Sequence, residues 1–172
     1  STPEIAESQT DDLSSDKGVD YTKLRDLLTQ GNWKEADEET LLVMLKVAGR
    51  KKDSWLRVED IEKFPCTDLR TIDTLWVKYS KGRFGFSVQK RIWESVGGTP
   101  DADYETYCRF GDRVGWRVDN NWLFYSDLTF TTEAPLGHLP MFTRFQMGER
   151  SWSGGGRHTY SSLASRLVNC NI

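Results

Sequence analysis

A chain of 172 residues carrying a formal net charge of −3 at pH 7 is long enough for one domain with a true core and too short for two. Its acidic balance excludes the whole-chain electrostatic footprint of a general nucleic-acid binder, and no apolar run approaches the roughly 18 residues that would span a bilayer. Seven Trp, eight Phe and six Tyr put much of the apolar burial on aromatic rings, a composition that also suits ligand sites. Cys66, Cys108 and Cys170 are odd in number and widely separated. That pattern provides neither a disulfide framework nor a CxxC metal pattern, so a reducing compartment is expected.

Residues 1–18 are rich in Ser, Thr, Asp and Glu, and are expected to be a disordered leader. A helical domain is expected over 19–145. Tyr21, Leu24, Leu27 and Leu28 make a helical face that Gly31 stops. Asn32 and Glu35 have capping-box spacing, and Trp33, Ala36, Thr40, Leu41, Met44 and Val47 continue a second helix to Gly49. The hairpin faintly resembles a single tetratricopeptide unit, but no second copy follows at a period of about 34 residues. A short helix over Val58 to Phe64 closes at Pro65.

Asp68 then reads as the N-cap of a helix with Leu69, Ile72, Trp76 and Tyr79 on one face. Gly82 and Gly85 bracket Phe84 in a turn, and Ser87 caps a helix carrying Val88, Ile92 and Trp93 up to Gly97 and Gly98. A further helix near Asp103 carries Tyr104, Tyr107, Cys108 and Phe110. From Asp112 to Thr132 the apolar residues fall in short clusters; a β-hairpin around Asn120 and Asn121 is conceivable, and short helical turns are the preferred reading. Glu133 to Pro140 has two prolines and a glycine and reads as an apolar loop that packs onto something or covers a ligand. Residues 146–172 are expected to be a mostly flexible extension, jointed by glycines. It ends in a short helix with Tyr160, Leu163, Leu167 and Val168 for docking on a partner.

The expected fold class is therefore all-α. Between Asp68 and Trp93, aromatic residues interleave with Arg70, Lys78, Lys81, Arg83, Lys90 and Arg91. Two readings fit. Either the rings are core with a solvated basic face, or some of them line a concave surface for a flat apolar ligand whose acidic edge meets the cations. Spacing does not separate the two. Catalysis finds little support: no Cys/His or Ser/His pairing, phosphate-binding glycine loop or metal-ligand cluster stands at recognisable spacing.

Several phrases resemble the genomes-uncoupled four family of porphyrin-binding magnesium chelatase accessory proteins. They are the runs Asp20 to Leu28, Asn32 to Asp37, Phe64 to Trp76, Gly82 to Trp93, Gly115-Trp116 and Ala134 to Pro140, and they cover roughly residues 20–145. The resemblance implies a helical domain that binds protoporphyrin IX and Mg-protoporphyrin IX on a concave greasy face, performs no chemistry and stimulates magnesium chelatase. It further implies a chloroplast location, partly at membranes, and a link to plastid-to-nucleus signalling. A C-terminal extension like this one looks like the eukaryotic chloroplast type, in which the tail engages the large porphyrin-binding chelatase subunit.

On that basis the porphyrin-binding residues are expected to be Trp76, Phe84, Phe86, Trp122, Leu136, Leu139 and Pro140, with Arg83, Arg144 and Lys78 at the propionate edge. His138 is a weaker candidate for axial contact with a bound metal. The expectation is a monomer with no permanently bound cofactor or metal and no nucleic-acid partner. The competing expectation is a non-enzymatic interaction module whose aromatic groove receives a partner helix.

Overall fold

The computed structural model describes residues 10–53, 55–141 and 155–172. α1 (Thr22–Thr29) and α2 (Trp33–Val47) form the expected αα-hairpin, turned at Gly31 with φ +72°. Leu24 and Leu28 of α1 and Ala36, Val43 and Met44 of α2 belong to one buried core. The capping box at Asn32 does not form: Asn32 occupies the N-cap but makes no side-chain cap bond, and its amide donates to Gln30 instead. α3 (Val58–Glu62) is capped at Arg57, whose backbone N–H and guanidinium both donate to Asp60. These bonds from Arg57 hold the Asp60 carboxyl below its usual range.

α4 (Cys66–Tyr79) has its N-cap at Pro65, three residues before the expected cap. Asp68 is therefore inside the first turn, and it is fully buried. Its carboxylate accepts from Tyr21 Oη at 2.7 Å, from Asp16 N at 2.9 Å and from Ser15 Oγ. Thr71 Oγ1 donates to Ser14 O, and Lys78 pairs with Asp11. Residues 11–16 thus lie along α4, which corrects the expectation of a free leader for that part. Their composition supplies little apolar burial, but it supplies hydrogen-bond partners for a carboxylate that would otherwise be buried unpaired.

α5 (Phe86–Ser95) starts at Gly85, not at Ser87. The cap comes from α4 instead: Asp73 Oδ1 accepts from Ser87 N at 2.8 Å. Gly85 sits at φ +126°, and a Cβ there would lie 2.8 Å from Val77 Cγ2 and 2.9 Å from Asp73 Oδ1. Only glycine lets the two helices approach this closely. Burial raises the Asp73 pKa above the ordinary carboxyl value, and the bonds from Ser87 and Phe86 oppose that rise.

α6 (Tyr104–Val114) is capped by Asp103, which accepts from both N–H and Oγ1 of Thr106 at 2.8 Å. Beyond it β1 (Arg117–Val118) pairs antiparallel with β2 (Asn121–Trp122). Asp119 and Asn120 lie between them at φ +51° and +63°, and these two residue types tolerate the left-handed region that a tight hairpin turn demands. The hairpin alternative therefore holds here and the preferred helical turns do not, apart from a single 3-10 turn over Tyr125–Asp127.

α7 (Gly155–Asn169) packs along α3 and α5. Tyr160, Leu163 and Leu167 are fully buried in the domain core and Val168 is exposed. This corrects two expectations. Residues 155–172 are a folded part of the domain, and three of the four presumed partner-docking side chains are turned inward. The reason is physical: Tyr160 finds Phe110 at 4.3 Å and Trp93 at 5.4 Å between ring centroids, so the apolar stripe is satisfied within the chain.

The cysteines are corrected as well. Cys66 and Cys170 form a disulfide across a separation of 104 residues, and Cys108 is buried and free. Sequence distance concealed the pairing because α7 returns to the start of α4. A bridge closing a loop this long stabilises the folded chain by about 4–5 kcal/mol in a chain-entropy treatment. The described fold matches the all-α expectation, with one two-stranded pair of two-residue strands as its sheet content.

Candidate functional site

The expected ligand-face residues separate into two groups. Trp76, Phe84 and Phe86 have 0% exposure. Trp76 packs with Trp33 and Phe84 at centroid distances of 6.1 and 6.3 Å, and its indole N–H donates to Thr40 Oγ1 at 2.9 Å. These three rings are core, which corrects their assignment to an open surface. Leu139 and Pro140 are buried too. Leu139 O accepts from Gly85 N at 3.0 Å and Pro140 O accepts from Gln89 Nε2 at 2.8 Å, so the end of the loop closes onto the α4–α5 turn.

The other group stays near solvent. Leu136 is 51% exposed, and Phe124, which the sequence reading did not single out, is 52% exposed. Trp122 is half-buried, stacks on Tyr107 at 4.7 Å and donates its indole N–H to Tyr104 Oη at 3.0 Å. Val118 and Tyr104 are exposed as well. Apart from Tyr104, these side chains come from residues 118–124 and the 133–140 loop. The two segments meet at Gly115 and Trp116: a Cβ on Gly115 would lie 2.8 Å from Pro135 Cγ, and Trp116 Nε1 donates to His138 O at 2.8 Å.

His138 fixes that junction. It is buried, its Nδ1 lies 2.7 Å from Val114 O, and its Nε2 accepts from Thr129 N at 3.0 Å. The carbonyl requires an Nδ1–H and the amide requires a bare Nε2, so the neutral tautomer is set. Burial pushes the imidazole pKa below its ordinary value. With both ring nitrogens engaged, no lone pair remains for a metal, which corrects the axial-contact expectation.

A second pin is Asp37 of α2, which the sequence reading missed. It accepts from Tyr125 Oη at 2.7 Å and from Met141 N at 2.6 Å, tying both ends of the 125–141 segment to α2. Nothing local marks it out, because it stands in the acidic run Glu35 to Glu39.

The three expected propionate contacts differ. Lys78 is paired with Asp11 and lies over the Tyr79 ring at 5.2 Å. Arg144 falls outside the described residues. Arg83 sits beneath the apolar loop: its Nη2 donates to Ala134 O at 2.7 Å and its carbonyl accepts from Gly137 N at 2.8 Å. Its buried Nε has no partner, and no carboxylate pairs with it among the described residues. An unneutralised guanidinium beside an apolar rim suits a flat apolar ligand with an acidic edge.

Grooves of about 660 and 410 Å³ run along α7, and none of Arg83, Trp122, Phe124 or Leu136 lines them. Among the described residues there is no group of three or more His, Cys, Asp or Glu placed to hold a metal, and no helix long and apolar enough to cross a membrane.

A family model described as GUN4-like matches residues 14–154. The chain is 34% identical over 137 residues to a Ycf53-like protein of Synechocystis sp., covering 78% of this chain and 56% of that protein. It is 32% identical over 133 residues to a protein of Arabidopsis thaliana named tetrapyrrole-binding protein, chloroplastic, covering 70% and 48%. The chain thus spans about half the length of these relatives. Among solved structures it is similar to GUN4 from Chlamydomonas reinhardtii, with a TM-score of 0.68 and 29% identity over 90% of this chain and 94% of that one. It is also similar to ligand-free Arabidopsis thaliana GUN4, with a TM-score of 0.66 and 28% identity over 83% and 93%.

Proposed function

This chain belongs to the GUN4-like family, and from that premise we propose that it binds a tetrapyrrole, protoporphyrin IX or its magnesium complex, and catalyses no reaction. The observation that carries the reading is Arg83, a guanidinium with a partnerless buried Nε directly under the loop that exposes Leu136. Trp122, Phe124 and Leu136 are the side chains proposed to meet the macrocycle. Arg83 meets a propionate, and Arg144 is kept as a second candidate. Trp76, Phe84, Phe86 and Leu139 back this surface as core, and Pro140 closes its loop.

Micromolar affinity is about −8 kcal/mol, which at ~25 cal/mol per Å² needs on the order of 300 Å² of net apolar burial before the costs of association. A few exposed aromatic and aliphatic groups are of that scale. The test is titration of the chain with deuteroporphyrin, with and without magnesium, following tryptophan quenching and the Soret band. Saturable micromolar binding that weakens about tenfold or more in Arg83→Gln is the expected result. Absence of saturable binding would overturn it.

The wider role follows from the same premise. The protein stimulates magnesium chelatase through its large porphyrin-binding subunit, in the chloroplast and partly at its membranes, as a eukaryotic chloroplast-type member with a link to plastid-to-nucleus signalling. Chelatase turnover with and without the added chain checks this. The interaction-module reading has one observation in its favour, that the groove between α3 and α5 accepts a helix, and that helix is the chain's own α7.

A further inference from the structure

Tyr160, Leu163 and Leu167 pack α7 onto the core along its length, while a covalent bond and three hydrogen bonds to other elements gather at its C-terminal end. Cys170 is bonded to Cys66, its carbonyl accepts from Arg70 Nη2 at 2.7 Å, Arg166 Nε donates to Phe64 O at 2.8 Å, and Lys90 Nζ donates to Ile172 O. All four ties fall within residues 166–172. Further back along the helix, Ser161 and Ser162 donate to His158 O of α7 itself. The buried face there carries a flaw: Tyr160 Oη has no partner, nor does Tyr107 Oη in the same aromatic cluster. A hydroxyl that can hydrogen-bond only after its helix opens favours the open state.

The bond itself is placed for exchange. Cys66 is the first residue of α4, where unsatisfied backbone N–H groups and the helix dipole stabilise a thiolate. It is half-buried, whereas Cys170 is 3% exposed, so Cys66 is the more accessible of the two cysteines.

We propose that the Cys66–Cys170 disulfide is a dithiol-exchange site that latches α7, so that a dithiol reductant releases the helix and uncovers the aromatic face beneath it. The reductant's thiolate attacks Cys66 Sγ, the Cys66–Cys170 bond breaks, and Cys170 leaves as a thiolate that takes a proton. The reductant's second thiol then attacks its own sulfur in the mixed disulfide and expels the Cys66 thiolate, stabilised by the start of α4. Two electrons pass from the dithiol, which ends as a disulfide, to the cysteine pair. Release turns Tyr160, Leu163 and Leu167 outward and bares Trp93, Phe110 and Trp116. This inference stands apart from the tetrapyrrole reading, since none of these residues belongs to the surface proposed for that ligand.

The experiment is hydrogen exchange with mass spectrometry on the whole chain, before and after complete reduction by dithiothreitol, with native-state alkylation run in parallel. Reduction is expected to speed exchange of the α7 amides on the order of 100-fold more than that of the α1, α2 and α4 amides, which feel only the global loss of stability. It should also open Cys66 and Cys170, but not buried Cys108, to the alkylating reagent. Cys170→Ser should show the fast α7 exchange without reductant, and Cys108→Ser should behave as the parent chain. Three outcomes would each overturn the proposal: Cys66 and Cys170 alkylated without reduction, α7 exchange unchanged after reduction, or acceleration spread equally over all helices, which would make the bond a staple of the whole domain.

Discussion

The α4–α5 turn and the 117–141 segment are both rich in aromatic and apolar residues, and they use them in opposite ways. At the turn, Phe84 and Phe86 are sealed in, Ser80 Oγ accepts from Phe84 N, and Asp73 caps the next helix. Across 117–141, Val118, Phe124 and Leu136 stay exposed while the backbone is held at a few points by Asp37, Gln89 and His138. Aromatic content therefore does not distinguish core from exposed surface. What distinguishes them is where the polar anchors go: in the turn they satisfy the segment itself, and in the loop they fix a frame from which apolar side chains project.

Four substitutions or conditions probe that contrast. The largest effect is expected for Trp76→Ala in the turn's aromatic cluster. It should cost about 3–5 kcal/mol of folding stability through cavity formation and the lost bond to Thr40, read from denaturant melts. A cost under about 1 kcal/mol would mean that the ring is not core.

Asp37→Ala should cost about 1–3 kcal/mol by leaving Tyr125 Oη and Met141 N without their acceptor. Faster hydrogen exchange confined to 125–141 would mark it as a pin of the rim. Exchange spreading through α1 and α4 would erase the distinction between the two regions.

Next comes pH. Burial lowers the folded-state pKa of His138 below the unfolded value of about 6.5, so the unfolded chain binds the proton first as pH falls. Stability from this group is complete above about pH 6.5 and declines below it, by up to about 1.4 kcal/mol per pH unit until the folded imidazole also titrates. Comparing melts of the parent and His138→Gln from pH 7.5 to 5 should show a shallower slope in the variant. Equal slopes would refute the assignment.

The smallest stability effect is expected at the exposed rim, where Leu136→Ala and Phe124→Ala should each stay within about 0.5 kcal/mol. Porphyrin titration should nevertheless weaken about tenfold in the double variant. Unchanged affinity would move the ligand surface elsewhere.

Much of the helical frame was legible in the sequence. The α1–α2 hairpin, the stop at Gly31, the turn between Gly82 and Gly85 and the helix beginning near Asp103 all follow from local chemistry that the structure repeats. Caps were less legible, because two carboxylates act across the chain. Asp68 looks like a local cap but gathers the residues before α1, and Asp73 caps a helix other than its own.

The site was the least legible part. Periodicity gives an apolar face but not what covers it, so Trp76 and Leu139 could be read as ligand wall although loop and helix close over both. Phe124 and Asp37 went unnoticed because exposure and long-range pairing leave no period in the sequence. The disulfide was hidden for the same reason, since nothing near Cys66 announces a helix returning from residue 155 onward.

α4 has one more consequence, for the order in which the chain assembles. Residues 11–16 bind to its Asp68, Thr71, Lys78 and Tyr79, and Cys170 binds to its Cys66 and Arg70. One helix is thus the meeting point for segments that lie more than 150 residues apart. Such closure raises the mean sequence separation of native contacts, and chains of that kind fold more slowly than helical bundles built from neighbours. On a ribosome, α4 is made early and completed late: its own turns form at once, but its last partner emerges only when α7 does.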